Sequence, residues 1–82
     1  MSDWAITEKH KNEMHEFVLD LWQLMKNYYE LPAKDQEDEY WEHLIKSSDA
    51  LMRKYNDGYN SVVNKMVMGF LDGQSARATA TN

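Results

Sequence analysis

Glu39 and His43 stand four residues apart, and His10 and Glu13 stand three apart. On a helix either spacing puts both side chains on one face, as a metal ion held by imidazole and carboxylate would require. A helical two-metal centre asks for more: a Glu-x-x-His step of three supplied twice, with further glutamates. No Glu-x-x-His step occurs in this chain. Glu39 and His43 also project roughly 160–200° away from Trp41 on the same helix, toward water. A solvated helix face is expected there, with no metal and no other cofactor. His15 borders an apolar arc and is expected as a hydrogen-bonded histidine at the core edge.

Acid–base catalysis needs a histidine or carboxylate in a pocket of low dielectric. None of the positions expected to be buried is a histidine or a carboxylate. Ser47-Ser48-Asp49 has no histidine on its face, and Ser48 is expected to bond back to its own helix. The absence of Cys excludes thiol catalysis, cysteine-ligated zinc and a disulfide framework. Gly58, Gly69 and Gly73 are too scattered to form a phosphate-cradling loop. No catalytic residue is assigned, no small-molecule ligand is evident, and enzyme activity is not expected.

Asp35, Glu37, Asp38, Glu39 and Glu42 form an acidic run with no basic residue among them. Such a surface suits a nucleic-acid mimic that blocks a nucleic-acid-binding protein. It equally suits the start of a helix, where negative charge meets the positive end of the dipole. The formal net charge of -5 is modest for a mimic of this length, which favours the helix start. That charge also argues against nucleic acid as the main ligand, since phosphate binding needs clustered Lys and Arg.

The elements that position these residues follow from apolar spacing. From about Thr7 to Tyr29, apolar residues including Met14, Phe17, Leu21, Trp22, Leu24, Met25, Tyr28 and Tyr29 repeat at steps of three and four. They fill an arc of roughly 160°. Thr7 is a suitable N-cap, and Leu31-Pro32 stops the helix because the residue before a proline is pushed out of the α region. Asp35 is expected to cap a second helix. On it Trp41, Leu44, Ile45, Ser48, Leu51, Met52 and Tyr55 form an arc of roughly 120°, ended by Asn56-Asp57-Gly58. A third helix begins near Tyr59, carries Val62, Val63, Met66, Val67 and Phe70, and is expected to end at Gly73. Gly69, costly in mid-helix, is expected to mark a close helix crossing. Gln74 to Asn82 contains no large apolar residue and reads as a flexible polar tail.

The fold class is therefore all-α: a small antiparallel three-helix bundle with helices at about 7–30, 35–56 and 59–73. One domain spans residues 1–73, with the flexible tail at 74–82. The first helix, with the widest arc, is expected at the centre. No apolar stretch approaches the ~20 residues that a membrane span needs, and Met1-Ser2-Asp3-Trp4 lacks the features of a secretory signal. A cytoplasmic protein is expected.

Asp49-Ala50-Leu51-Met52-Arg53-Lys54-Tyr55 resembles the Asp-x-Leu-Ile-x-x-Tyr stretch of the small helical-hairpin phosphatases that act on response regulators in sporulating bacteria. That family's motif opens with a Ser-Gln pair where this chain has Ile45-Lys46, so its activity is not carried over. In general style the chain is similar to small acidic helical proteins carried by bacterial genomes, phages and mobile elements, a likeness that rests on no motif.

Four large apolar residues fall outside the arcs. Leu19, Met68 and Leu71 point away from them, and Trp4 precedes the first helix. Together they are candidate partner contacts, and methionine is an adaptable contact residue. The expectation is an interaction module that binds another protein or itself as a homodimer, as an adaptor or inhibitor. The alternatives are the acidic mimic and a helix-turn-helix DNA-binding regulator. The latter is weakened because the third helix offers only Lys65 before the Arg77 of the tail.

Overall fold

The computed structural model describes residues 4–55 and 61–80. Three helices account for most of them: α1 over Glu8–Tyr28, α2 over Glu37–Lys54 and α3 over Ser61–Ala80. No strand occurs among the described residues. Thr7 caps α1, its hydroxyl accepting from the His10 backbone N–H at 3.4 Å, with Glu8 in the first turn. Asp35 is not the cap of α2. It lies in a 3-10 turn over Lys34–Gln36 that leads into the helix, and Gln36 holds the cap position without a side-chain bond. Glu37, Asp38 and Glu39 occupy the first turn of α2, while Arg53 and Lys54 occupy its last, so both ends suit the dipole. Asn56-Asp57-Gly58 and Tyr59 lie outside the described residues.

The bundle is antiparallel. Asp20, near the middle of α1, accepts from Lys54 Nζ at the end of α2 at 2.8 Å. Tyr28, at the end of α1, shares a hydrogen bond with Ser47 and has its backbone oxygen bonded by the Tyr40 hydroxyl. Gln74 near the end of α3 meets Tyr40 near the start of α2. The core is Phe17, Leu21 and Leu24 from α1, Leu44 and Leu51 from α2, and Val63 and Val67 from α3. Each such side chain contributes about 1.5–3 kcal/mol when fully buried. The Phe17 ring packs edge-on against Tyr55 at 5.3 Å.

The structure corrects several expectations. The hub is α2, not α1: α2 packs against both neighbours, and α1 meets α3 less extensively. The wide arc of α1 is therefore only partly used. Trp22, expected in the core, is 54% exposed, and Ile45 of α2 is 56% exposed. Gly69 marks no close crossing, because a methyl group placed there would meet nothing within 4 Å. Ser48 is buried, yet its hydroxyl has no partner among the described residues, its own helix included.

The largest correction concerns the segment after Gly73. Residues 74–80 are not a tail but the last two turns of α3. Gln74 is 2% exposed. Its amide nitrogen lies 2.8 Å from the backbone oxygens of both Tyr28 and Tyr29 and 3.0 Å from the Tyr40 hydroxyl. Arg77 donates to the Tyr29 backbone oxygen at 2.6 Å and to the Gln74 side-chain oxygen at 2.8 Å, and lies over the Tyr29 ring at 4.1 Å. A helix leaves its last four carbonyls without intrahelical partners. At the end of α1 the Tyr28 and Tyr29 oxygens are satisfied from α3, so the polarity of the segment is the mark of a capping role.

Candidate functional site

Between α2 and α3 runs an open groove of about 610 Å³. Its apolar wall comes from Trp41, Ile45 and Met52 on α2 and from Met68 and Leu71 on α3. The helical period explains the arrangement. Leu44 and Leu51 point into the core, and Ile45 and Met52, each one residue later, are turned about 100° to its edge. Met68 and Leu71 stand likewise at the edge beside Val67. From Trp41 to Met52 the wall is about 16 Å long at 1.5 Å per residue, or three turns of a helix.

The rim is charged but mostly paired. Lys46 bonds Glu42 at 2.9 Å, and Arg53 bonds Asp49 at 2.9 Å. Lys46 holds the Glu42 carboxyl below the usual carboxylate range, chiefly by that hydrogen bond. Asp72, also on the rim, makes no ion pair among the described residues.

Two of the four candidate contact residues, Met68 and Leu71, are thus brought together, and the other two are not. Leu19 is exposed on α1, away from the groove, and Trp4 stands 89% exposed ahead of the first helix. Trp41, Ile45 and Met52, which complete the wall, were assigned to the core arc of α2. An arc of that width does not say which of its two edges a neighbouring helix covers.

A second uncovered apolar face lies on α1. Val18, Trp22 and Tyr29 are each more than half exposed and recur at steps of four and seven, with half-buried Met25 among them. Trp22, Met25 and Tyr29 line a hollow with Lys26, whose ammonium lies 5.5 Å from the Trp22 ring centre. On α3, Val62 and Met66 are exposed on the side turned away from Met68 and Leu71.

The acidic candidates Asp35, Glu37, Asp38, Glu39 and Glu42 are all exposed. Glu39 stands 3.9 Å from His43, and both side chains are well exposed, as the angular argument expects. Among the described residues no group of three or more His, Cys, Asp and Glu side chains is placed to hold a metal ion. No described helix is long and apolar enough to cross a membrane.

The most strongly perturbed ionisable cluster joins α1 to α2. Asp20 accepts from Lys54 and from the Tyr55 hydroxyl, and Lys54 also lies 3.1 Å from Glu16. These bonds, Lys54's first, hold the Asp20 carboxyl below its ordinary range. Asp20 and then Glu16 hold the Lys54 ammonium well above its own. Burial, and then the bond to Asp20, push the Tyr55 hydroxyl up to about 12. Asp20, Lys54 and Tyr55 are each held in the charge state they already have at neutral pH, which serves cohesion between the two helices.

No protein-family model, no curated protein and no solved structure matches this chain.

Proposed function

We propose that the chain is a protein-binding module whose α2–α3 groove holds an amphipathic helix with a basic flank. The observation that carries this reading is the groove wall of Trp41, Ile45, Met52, Met68 and Leu71, five large apolar side chains lining an open channel three turns long. Helix-in-groove recognition uses such a channel, with apolar anchors at i, i+3 or i+4, and i+7 on the ligand. The basic flank follows from charge. The chain carries a net -5, and Asp72 stands on the rim without a paired cation among the described residues. A Lys or Arg on the ligand would answer it, and like charge there would be rejected.

A DNA reader has less to stand on. The basic residues of α3 are Lys65 and Arg77, and Arg77 is engaged at the end of α1. The acidic mimic is weakened because Glu42 and Glu39 each have a basic neighbour, Lys46 and His43.

The test is site-specific photo-crosslinking in the native host, with the reactive group placed at Ile45, at Met68, or at exposed Lys9 as a control. The same foreign protein captured from positions 45 and 68 but not from 9, with the yield cut by Asp72→Lys, is the expected result. No adduct from the groove, the same adducts from all three positions, or an adduct consisting of a second copy of this chain would overturn the reading.

A further inference from the structure

The groove leaves the exposed face of α1 unexplained. We infer that this face is an interface between two copies of the chain, with their α1 helices crossing antiparallel about Trp22. Three observations support a second copy as the occupant.

The first is area. Aromatic side chains bury about 150–250 Å² each. Trp22 and Tyr29 are half exposed, and with Val18, Val62 and Met66 they leave roughly 400–500 Å² of apolar surface on one side of the molecule. That is the size of the largest patch on a typical monomer, roughly 300–600 Å², and such a patch is often a site of interaction. Doubled across a two-fold axis and given a polar rim, it reaches the lower bound of a specific interface, about 1,200 Å².

The second is the pattern. Val18, Trp22, Met25 and Tyr29 form a straight stripe, displaced about 90° around α1 from the buried Phe17, Leu21 and Leu24. In an isologous contact the same stripe of each copy packs against the other, the ridges of one helix in the grooves of its twin.

The third is charge. In an antiparallel crossing centred on Trp22, a residue eight positions after the centre meets one about eight before it. Glu30, one residue past the C-cap of α1, then lies level with Met14 of the other protomer and next to the following residue, His15, and the same pairing recurs at the opposite end. Glu30 makes no ion pair within its own chain among the described residues, and neither does His15. A self-complementary rim of this kind fixes register and direction.

This inference does not depend on the groove reading. Light scattering behind size exclusion, from micromolar to about millimolar protein, should give twice the chain mass at the upper end, falling toward one chain on dilution. Trp22→Glu should be monomeric throughout with an unchanged helical circular-dichroism spectrum, while Ile45→Glu, in the groove, should dimerise as wild type does. Glu30→Lys should weaken association about twofold to fivefold, as an exposed pair does, and adding His15→Glu should restore it. A wild-type protein that stays monomeric to millimolar concentration overturns the inference. So does a dimer that survives Trp22→Glu, or one that Ile45→Glu abolishes.

Discussion

Gln74 carries more of the fold than any other polar side chain described. Its buried amide group reaches the terminal carbonyls of α1 and the Tyr40 hydroxyl together. Removing it takes away several of these bonds at once, each contributing about 0.5–1.5 kcal/mol, while Tyr40 and Arg77 still reach the Tyr28 and Tyr29 oxygens. A domain of this size draws only roughly 3–5 kcal/mol from its own core, so Gln74→Ala should lower the midpoint of chemical denaturation markedly, without changing the helical signal at low denaturant. Asp20 gives a second expectation at this scale. Its carboxyl is held below the value near 3.9 that it has in an unfolded chain, so between those two values the unfolded state binds more protons. The stabilisation is full above about pH 4 and is lost as pH falls through the lower folded value. Melting temperature followed from pH 7 to 2 should drop below pH 4, and Asp20→Asn should flatten that drop. The Thr7 cap was legible because capping is local. The role of Gln74 was not, because a glutamine beside Ser, Ala and Thr carries no mark of the carbonyls it will meet some 45 residues away along the chain.

At the scale of the element, α3 is the instructive helix. Its core positions Val63 and Val67, its groove positions Met68 and Leu71 and its opposite pair Val62 and Met66 place apolar residues around most of its circumference. A helix with apolar residues all round is meant to be covered on more than one side. The period made it legible as a helix, but not which residues would be covered, and the loss of large apolar residues after Leu71 suggested an end that is not there. Gly73 supported that false end because glycine after an apolar run is the usual stop signal. Gly69 is now free of any packing role, since a side chain there would meet open space. Gly69→Ala should therefore stabilise the protein by up to about 1 kcal/mol, the ordinary difference in helix propensity. Thermal melts of the two proteins at equal concentration will show it. A destabilised variant would mean that α3 is approached more closely than the structure shows. The position of α2 at the hub was also hidden in the sequence, because the width of an apolar arc counts every face that will be covered, including faces covered by another molecule.

At the scale of the whole molecule the fold is elongated, 52 × 22 × 20 Å, with a radius of gyration of 15.0 Å against about 12 Å for a compact chain of this length. Three helices laid side by side around a narrow core leave much of their apolar surface near the outside. The three-helix class, the antiparallel order and the acidic start of α2 were readable from period, breaks and charge. The groove was half readable: Met68 and Leu71 stood out as misfits, while Trp41, Ile45 and Met52 passed as core. The surplus of apolar residues was plain in composition, but its division between a groove and a separate stripe on α1 required the packing of all three helices. A groove that holds a partner helix is covered when the protein works. Hydroxyl-radical footprinting of the methionines tests it, comparing dilute purified protein with the same protein inside its native host. Methionine oxidation follows exposure. Met68, 45% exposed on the groove wall, should oxidise readily in the purified protein and several-fold more slowly in the cell, relative to half-buried Met14. Equal relative oxidation of Met68 in the two settings would mean that the groove stays open in the cell and holds no partner.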